Sequence, residues 1–217
     1  MAGTLFYLMQ QQRCMKLLVE ELDRTFEDVE EIRLGEKLTS CVYLRACVEE
    51  ALRMASPAPG VAERTVLRNY QGGTVIDGEF LDEGTTIGVG GWATSYNPKY
   101  IREPDRYWPE RHIAGGEFSA EEVQQAHNAY WPFLLGVRKC PGRKLAYNEL
   151  HLVIARLVYL FEITPENPEE LKRNFDILDH NNPKKIGPFV SFRLRTGKHL
   201  PTTNPSEMQD VIVGDDE

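Results

Sequence analysis

Residues 142–161 constrain the fold more than any other stretch. Leu145, Leu152, Ile154, Ala155, Leu157 and Val158 distribute apolar side chains around nearly every face of a helix. A helix apolar all round cannot sit on a surface, so this one predicts a buried central rod with other elements packed about it. It is not a membrane span. A bilayer needs about 20 apolar residues, and the best run, Leu152 to Phe161, is shorter and contains Arg156.

The other elements follow from spacing and punctuation. Leu5, Leu8, Met9, Met15, Leu18, Val19 and Leu22 predict a helix over Ala2–Phe26, with no capping residue before Leu5. The apolar group Phe6 to Met9 lies beside the first residues, as if the sequence opens inside a buried helix. The acidic run TFEDVEEIRLGEK predicts a solvated connection. Ser40 precedes a second helix, Cys41 to about Met54, ended by Pro57 and Pro59. From Val66 to Val89 short strand-like pieces are punctuated by Gly72–Gly73 and Asp77–Gly78 turns. Asn97 to Tyr130 is irregular, with one short helix at Ala120–His127. A long structureless loop in a compact domain usually serves a function. Short strands are expected near Glu162–Thr164 and Phe189–Leu194, and residues 201–217 read as a mobile tail. The fold class is therefore mainly α with small β elements.

Composition excludes several classes of function. The 217 residues hold 25 Lys and Arg against 33 Asp and Glu, a net charge of −8. A chain-wide nucleic-acid footprint needs the opposite balance. The four cysteines, Cys14, Cys41, Cys47 and Cys140, are too few and too unevenly spaced for a disulfide scaffold. Their use points to a reducing compartment. Cys41 and Cys47 lie on one helix at a spacing that suits zinc poorly, and the five histidines show no metal spacing, with His112 and His127 expected in solvent. Gly88-Val89-Gly90-Gly91-Trp92-Ala93 matches the dinucleotide pattern G-x-G-x-x-A. No βαβ unit surrounds it, so it reads as a strand end. The N-terminus lacks the basic start and cleavage site of a signal peptide.

The chemistry concentrates in WPFLLGVRKCPGRKLAYNEL, Trp131 to Leu150. Cys140 stands just ahead of the buried helix, whose first turn offers unpaired N–H groups and the positive end of its dipole. Both stabilise a thiolate, the form of cysteine that binds metal. Gly136 and Gly142 allow a tight turn and let a flat ligand approach the backbone. Pro141 suits the first helical position. Arg138 can meet an anionic group of the same ligand, and Phe133 can cover the sulfur. The alternative is an inert core cysteine.

This segment resembles the haem-binding signature of the cytochrome P-450 family, Phe-x-x-Gly-x-Arg-x-Cys-x-Gly, at Phe133, Gly136, Arg138, Cys140 and Gly142. Two further pieces appear in order: Glu50-Ala51-Leu52-Arg53, whose spacing puts acid and base on one helix face, and Trp108-Pro109-Glu110-Arg111. ACVEEALRMASPAP, TVIDGEFLDEGTTIGV, NPKYIREPDRYWPER and RKLAYNELHLVIARLVYLFEI are similar to fungal members.

The resemblance implies that residues 1–200 are the C-terminal portion of the cytochrome P-450 fold, without the N-terminal half. It implies haem with Cys140 as axial ligand, and a structural triad of Glu50, Arg53 and Arg111. Arg64 is a weaker candidate for a haem propionate. Ala58 to Val66 matches the family's substrate-lining connection. The implied function is a monooxygenase of fungal secondary metabolism. It would oxidise a small apolar molecule with O2 and electrons from an NADPH-dependent reductase. The basic group Arg138, Lys139, Arg143, Lys144 would receive that donor. Full-length members face the cytoplasm from the microsomal membrane, and the anchor that holds them there is not among these residues. The acid and threonine that deliver protons to oxygen are also missing, and Thr4 does not inherit their role. A truncated remnant that only holds haem and a non-enzymatic interaction module are the alternatives.

Overall fold

The computed structural model describes residues 1–69, 72–175, 177 and 187–201. Of the expected tail, residues 201–217, all but Pro201 lie outside the described residues.

The chain is helical with small sheets, as its patterning predicts. The first helical stretch is two helices, not one: α1 (Ala2–Gln10) and α2 (Gln12–Thr25). They part at Gln11, whose backbone leaves helical space at φ −109° and ψ 78°. No Pro or Gly marks the break. Glutamine side chains make it, as the Gln12 amide donates to the Met9 carbonyl at 2.6 Å and the Gln10 amide to the Leu171 carbonyl at 2.7 Å. The Met9 carbonyl, left free by the break, thereby finds a donor, and the Gln10 contact ties the end of α1 to the 3₁₀ turn Pro168–Lys172. α1 is buried from Gly3 to Met9, while α2 buries only Cys14, Leu18 and Leu22 on one stripe.

The acidic connection after α2 is less solvated than its charge suggests. Phe26, Val29 and Ile32 are all buried beneath it. A short turn α3 (Glu36–Thr39) leads to α4 (Val42–Met54). Ser40 does not cap α4; its hydroxyl donates back to the Lys37 carbonyl at 2.8 Å. The cap comes from α2, where the Glu21 carboxylate accepts the Tyr43 and Leu44 N–H groups, each at 2.8 Å. A carboxylate at a helix N-terminus also meets the dipole favourably.

Three two-stranded antiparallel sheets follow: β1 (Arg64–Thr65) with β4 (Thr86–Ile87), β2 (Gly73–Ile76) with β3 (Glu79–Asp82), and β5 (Phe161–Pro165) with β6 (Val190–Leu194). The β2–β3 turn places Asp77 at φ 50° and Gly78 at φ 85°, the left-handed pair that a tight hairpin requires. After β4 comes the short helix α5 (Gly91–Ser95), then α6 (Ala120–Ala129) and α7 (Arg143–Leu160). The glycine-rich Gly88–Ala93 segment, expected to be a strand end, follows β4 and runs into α5, and a Cβ on Gly88 would stand 2.3 Å from Val61 Cγ1. Its glycine serves close chain packing.

The main core joins α1, α2, α4 and the C-terminal half of α7, where Ile154, Ala155 and Val158 are fully buried. Tyr7 and Tyr107 stack within it at 5.1 Å. The expectation that α7 is buried throughout fails at its beginning. Arg143 to Leu145 face solvent, with Leu145 62% exposed. The helix emerges there to carry the cysteine loop. Among the described residues no helix is long and apolar enough to cross a membrane.

Candidate functional site

The loop before α7 is held by its own backbone. The Leu134 N–H donates to the Trp131 carbonyl at 3.0 Å, and the Cys140 N–H closes the loop on the Phe133 carbonyl at 2.8 Å. Between them Leu134 sits at φ 59° and Gly136 at φ 72°. Nothing lies within 4 Å of a Cβ placed on Gly136, so the glycine is required for its backbone angle, not for room. Gly142 differs: it caps α7, and its missing side chain borders the sulfur, 3.7 Å from a Cβ placed there. The helix starts at Arg143, so Pro141 precedes the cap and is not the first helical residue. Phe133 anchors the start of the loop, packing on Tyr147 at 5.0 Å beside Val48, Leu52, Tyr130 and Leu150.

Cys140 itself is exposed, whereas Cys14, Cys41 and Cys47 are free and buried. Burial pushes the Cys41 thiol up to about 11, and the Cys47 thiol well above its ordinary value for the same reason. Those two are inert core groups. Around Cys140, by contrast, apolar side chains stand in solvent: Leu135 is 71% exposed and Val137 and Leu145 more than half exposed. Leu134 and Trp131 line a cavity of about 180 Å³ with Ser56, Ala58 and Val61. An exposed thiol at a helix N-terminus, ringed by uncovered hydrocarbon, fits a broad apolar ligand that binds through sulfur. Arg138, Lys139, Arg143 and Lys144 are all exposed on the same loop and first turn, with Arg143 over the Tyr147 ring at 5.6 Å. Arg64 lies on β1, exposed, its guanidinium turned to the Glu63 carbonyl at 2.6 Å.

Glu50, Arg53 and Arg111 come together in the interior, each no more than 1% exposed. α4 supplies the acid and Arg53 one turn apart, and the 3₁₀ turn Pro109–His112 supplies Arg111. Arg53 grips Glu50 with two nitrogens, both at 2.9 Å, and Arg111 Nε approaches Oε1 at 3.1 Å. The Trp108 N–H donates to the same oxygen at 3.0 Å. The remaining guanidinium donors reach backbone carbonyls: Arg53 those of Ser95 and Pro104, both at 2.8 Å, and Arg111 those of Arg102 and Glu103. Residues 97–107, which have little regular structure to satisfy their carbonyls, are pinned by two buried arginines. Burial alone would raise the Glu50 carboxyl. Arg53 and the His112 hydrogen bond overcome it and hold the group well below the usual carboxylate range.

One member of this cluster escapes the sequence reading. His112 is not solvated; its side chain is 3% exposed and its Nε2 lies 2.9 Å from Glu50 Oε2. Its place directly after Arg111 was the available signal. His127 on α6 is exposed, and its Nε2 stands 3.4 Å from His112 Nδ1.

Comparison with known proteins places this geometry. The cytochrome P-450 family model matches residues 1–190. A cytochrome P-450 monooxygenase of Gibberella fujikuroi, apf8, is 34% identical over 206 residues, covering 90% of this chain and 55% of its own. Another, poxM of Penicillium oxalicum, is 32% identical over 89% of this chain and 36% of its own. A third, AKT7 of Alternaria alternata, is 31% identical over 88% of this chain and 40% of its own. The chain spans about half the length of such relatives or less. Haem is the cofactor of this family. The chain belongs to the cytochrome P-450 family.

Proposed function

We propose that this chain is the haem-binding portion of a monooxygenase acting on a small apolar molecule, with Cys140 as the residue that would hold the haem iron. The observation that carries the reading is the exposed Cys140 thiol among uncovered apolar side chains, at the head of a helix whose far half is buried.

Each residue then has a part. Cys140 would hold the iron through its sulfur, at the N-terminal end of α7. Gly136 gives the loop its left-handed turn, and Gly142 leaves the flank of the sulfur open. Arg138 neutralises a propionate. Leu135, Val137 and Leu145 take the hydrocarbon faces and exclude water from the sulfur. Phe133 fixes where the loop begins. Glu50, Arg53 and Arg111 are structural: they hold residues 97–112 in place and touch no reacting atom. Haem, when bound through a thiolate, supplies oxygen activation, since the sulfur donates electron density that favours O–O cleavage. The protein contributes position, dielectric and exclusion of water. Ala58 to Val66, bordering the cavity near the loop, lines the substrate side. An NADPH-dependent reductase supplies electrons, received at Arg138, Lys139, Arg143 and Lys144.

The test is spectroscopic. The chain is loaded with haem, reduced and exposed to carbon monoxide. A thiolate-type Soret shift is expected in wild type and lost in Cys140→Ser. Identical spectra in the two would refute ligation through Cys140. A shift without oxidation of any apolar substrate would leave a haem-holding protein that is not an oxygenase.

A further inference from the structure

We propose that His112 and His127 form a two-imidazole site for a zinc-type divalent ion between the 3₁₀ turn Pro109–His112 and α6, independent of Cys140. His112 Nδ1 and His127 Nε2 stand 3.4 Å apart, with ring centroids 5.5 Å apart. That distance is long for a hydrogen bond, whose N–H donors usually approach within about 2.7–3.2 Å. It matches two nitrogens on one tetrahedral ion: with Zn–N bonds of about 2.0–2.1 Å, ligands lie roughly 3.3–3.4 Å from each other.

The tautomer is also arranged for metal. Glu50 Oε2 lies 2.9 Å from His112 Nε2, and Arg53 and Arg111 pair with the same carboxylate. In the neutral tautomer that donates from Nε2 to this carboxylate, the Nδ1 lone pair lies on the side of His127. A carboxylate behind a ligating histidine is the usual support of a metal-bound imidazole, fixing both proton and ring. The cluster that pins residues 97–112 thus also presets one ligand.

The second ligand is set on a fixed element. α6 begins with a capping box between Ser119 and Glu122. Arg102 pairs with Glu122 at 3.1 Å, and the Gln125 amide reaches the Lys99 carbonyl at 2.8 Å. His127 is exposed, so an ion can arrive from solvent. Among the described residues no third His, Cys, Asp or Glu completes a protein cage. The remaining coordination positions fall to water. The ion would clamp α6 to the 3₁₀ turn Pro109–His112.

The test uses the full chain with Cys140→Ser, which removes the exposed thiol as a competing zinc ligand. Zn²⁺ is titrated calorimetrically into this protein and into the same protein carrying His127→Ala or His127→Gln. One ion per chain is expected in the parent and none at that site in either variant. Added Zn²⁺ should raise the unfolding temperature of the parent alone. His127 is exposed, so matching far-ultraviolet dichroism establishes that the variants are folded. Equal zinc uptake by parent and variants, or no uptake at all, overturns the site and leaves the two rings joined by a hydrogen bond.

Discussion

Glu50 shows how one carboxylate can organise a region that has almost no regular structure. It accepts from Arg53, Arg111, His112 and the Trp108 backbone with no exposure to solvent. Removing one partner from a buried ionic cluster strands the others without compensation, at a cost of about 3–5 kcal/mol. Glu50→Gln should therefore lower stability by that order, read from urea unfolding at neutral pH. The effect depends on acidity with a definite sign. An unfolded glutamate titrates near about 4.3, and the folded Glu50 titrates below it. The stabilisation is complete above that unfolded value. It is lost as pH falls from there towards the depressed folded one. The gap between wild type and Glu50→Gln should therefore shrink on acidification and stay constant from pH 6 to 8. A gap that widened in acid would contradict the assignment. The sequence made Glu50, Arg53 and Arg111 legible as a set because two motifs carry them. It did not expose His112, whose only mark is its place directly after Arg111 and whose carboxylate partner lies 62 positions away.

At the scale of elements, α1 approaches the end of α4 closely at Gly3. A Cβ on Gly3 would stand 2.6 Å from Ala55 Cβ. Neither carbon can rotate away, so the backbones must part. Overpacking of this kind costs about 1–3 kcal/mol, against a gain of about 1 kcal/mol in helix propensity over glycine. Gly3→Ala should be net destabilising by about 1 kcal/mol. Ala55→Gly in the same chain should recover most of the loss, because it empties the opposing position. Thermal or urea unfolding of the two single variants and the double completes the cycle. Additive losses would show that the contact is not direct. Element identity was largely readable from periodicity: α4, α6, α7 and the β5–β6 pair stand within a few residues of expectation. Boundaries depended on distant groups. Gln10 at the end of α1 reaches the Leu171 carbonyl, and Glu21 of α2 caps α4. A local pattern carries no record of partners supplied by another part of the chain.

The whole molecule carries a net charge of −8, yet Arg138, Lys139, Arg143 and Lys144 are all exposed around the cysteine loop. A local positive field on an acidic body orients an acidic partner: attraction at the loop is reinforced by repulsion everywhere else. Lys139 and Lys144 stand beside the proposed ligand without belonging to the haem signature, so they can be reversed while the signature is kept. The double variant Lys139→Glu, Lys144→Glu should retain the haem spectrum. Association with an acidic electron donor should slow by about tenfold or more at low salt, the scale on which steering acts. The difference should fade as the screening length contracts from about 10 Å at 0.1 M salt to about 3 Å at 1 M. Stopped-flow reduction of the haem-loaded chain across that range measures both. A deficit in the variant that persists undiminished at high salt would place its cause in packing at the loop, and the charge would then have no steering role.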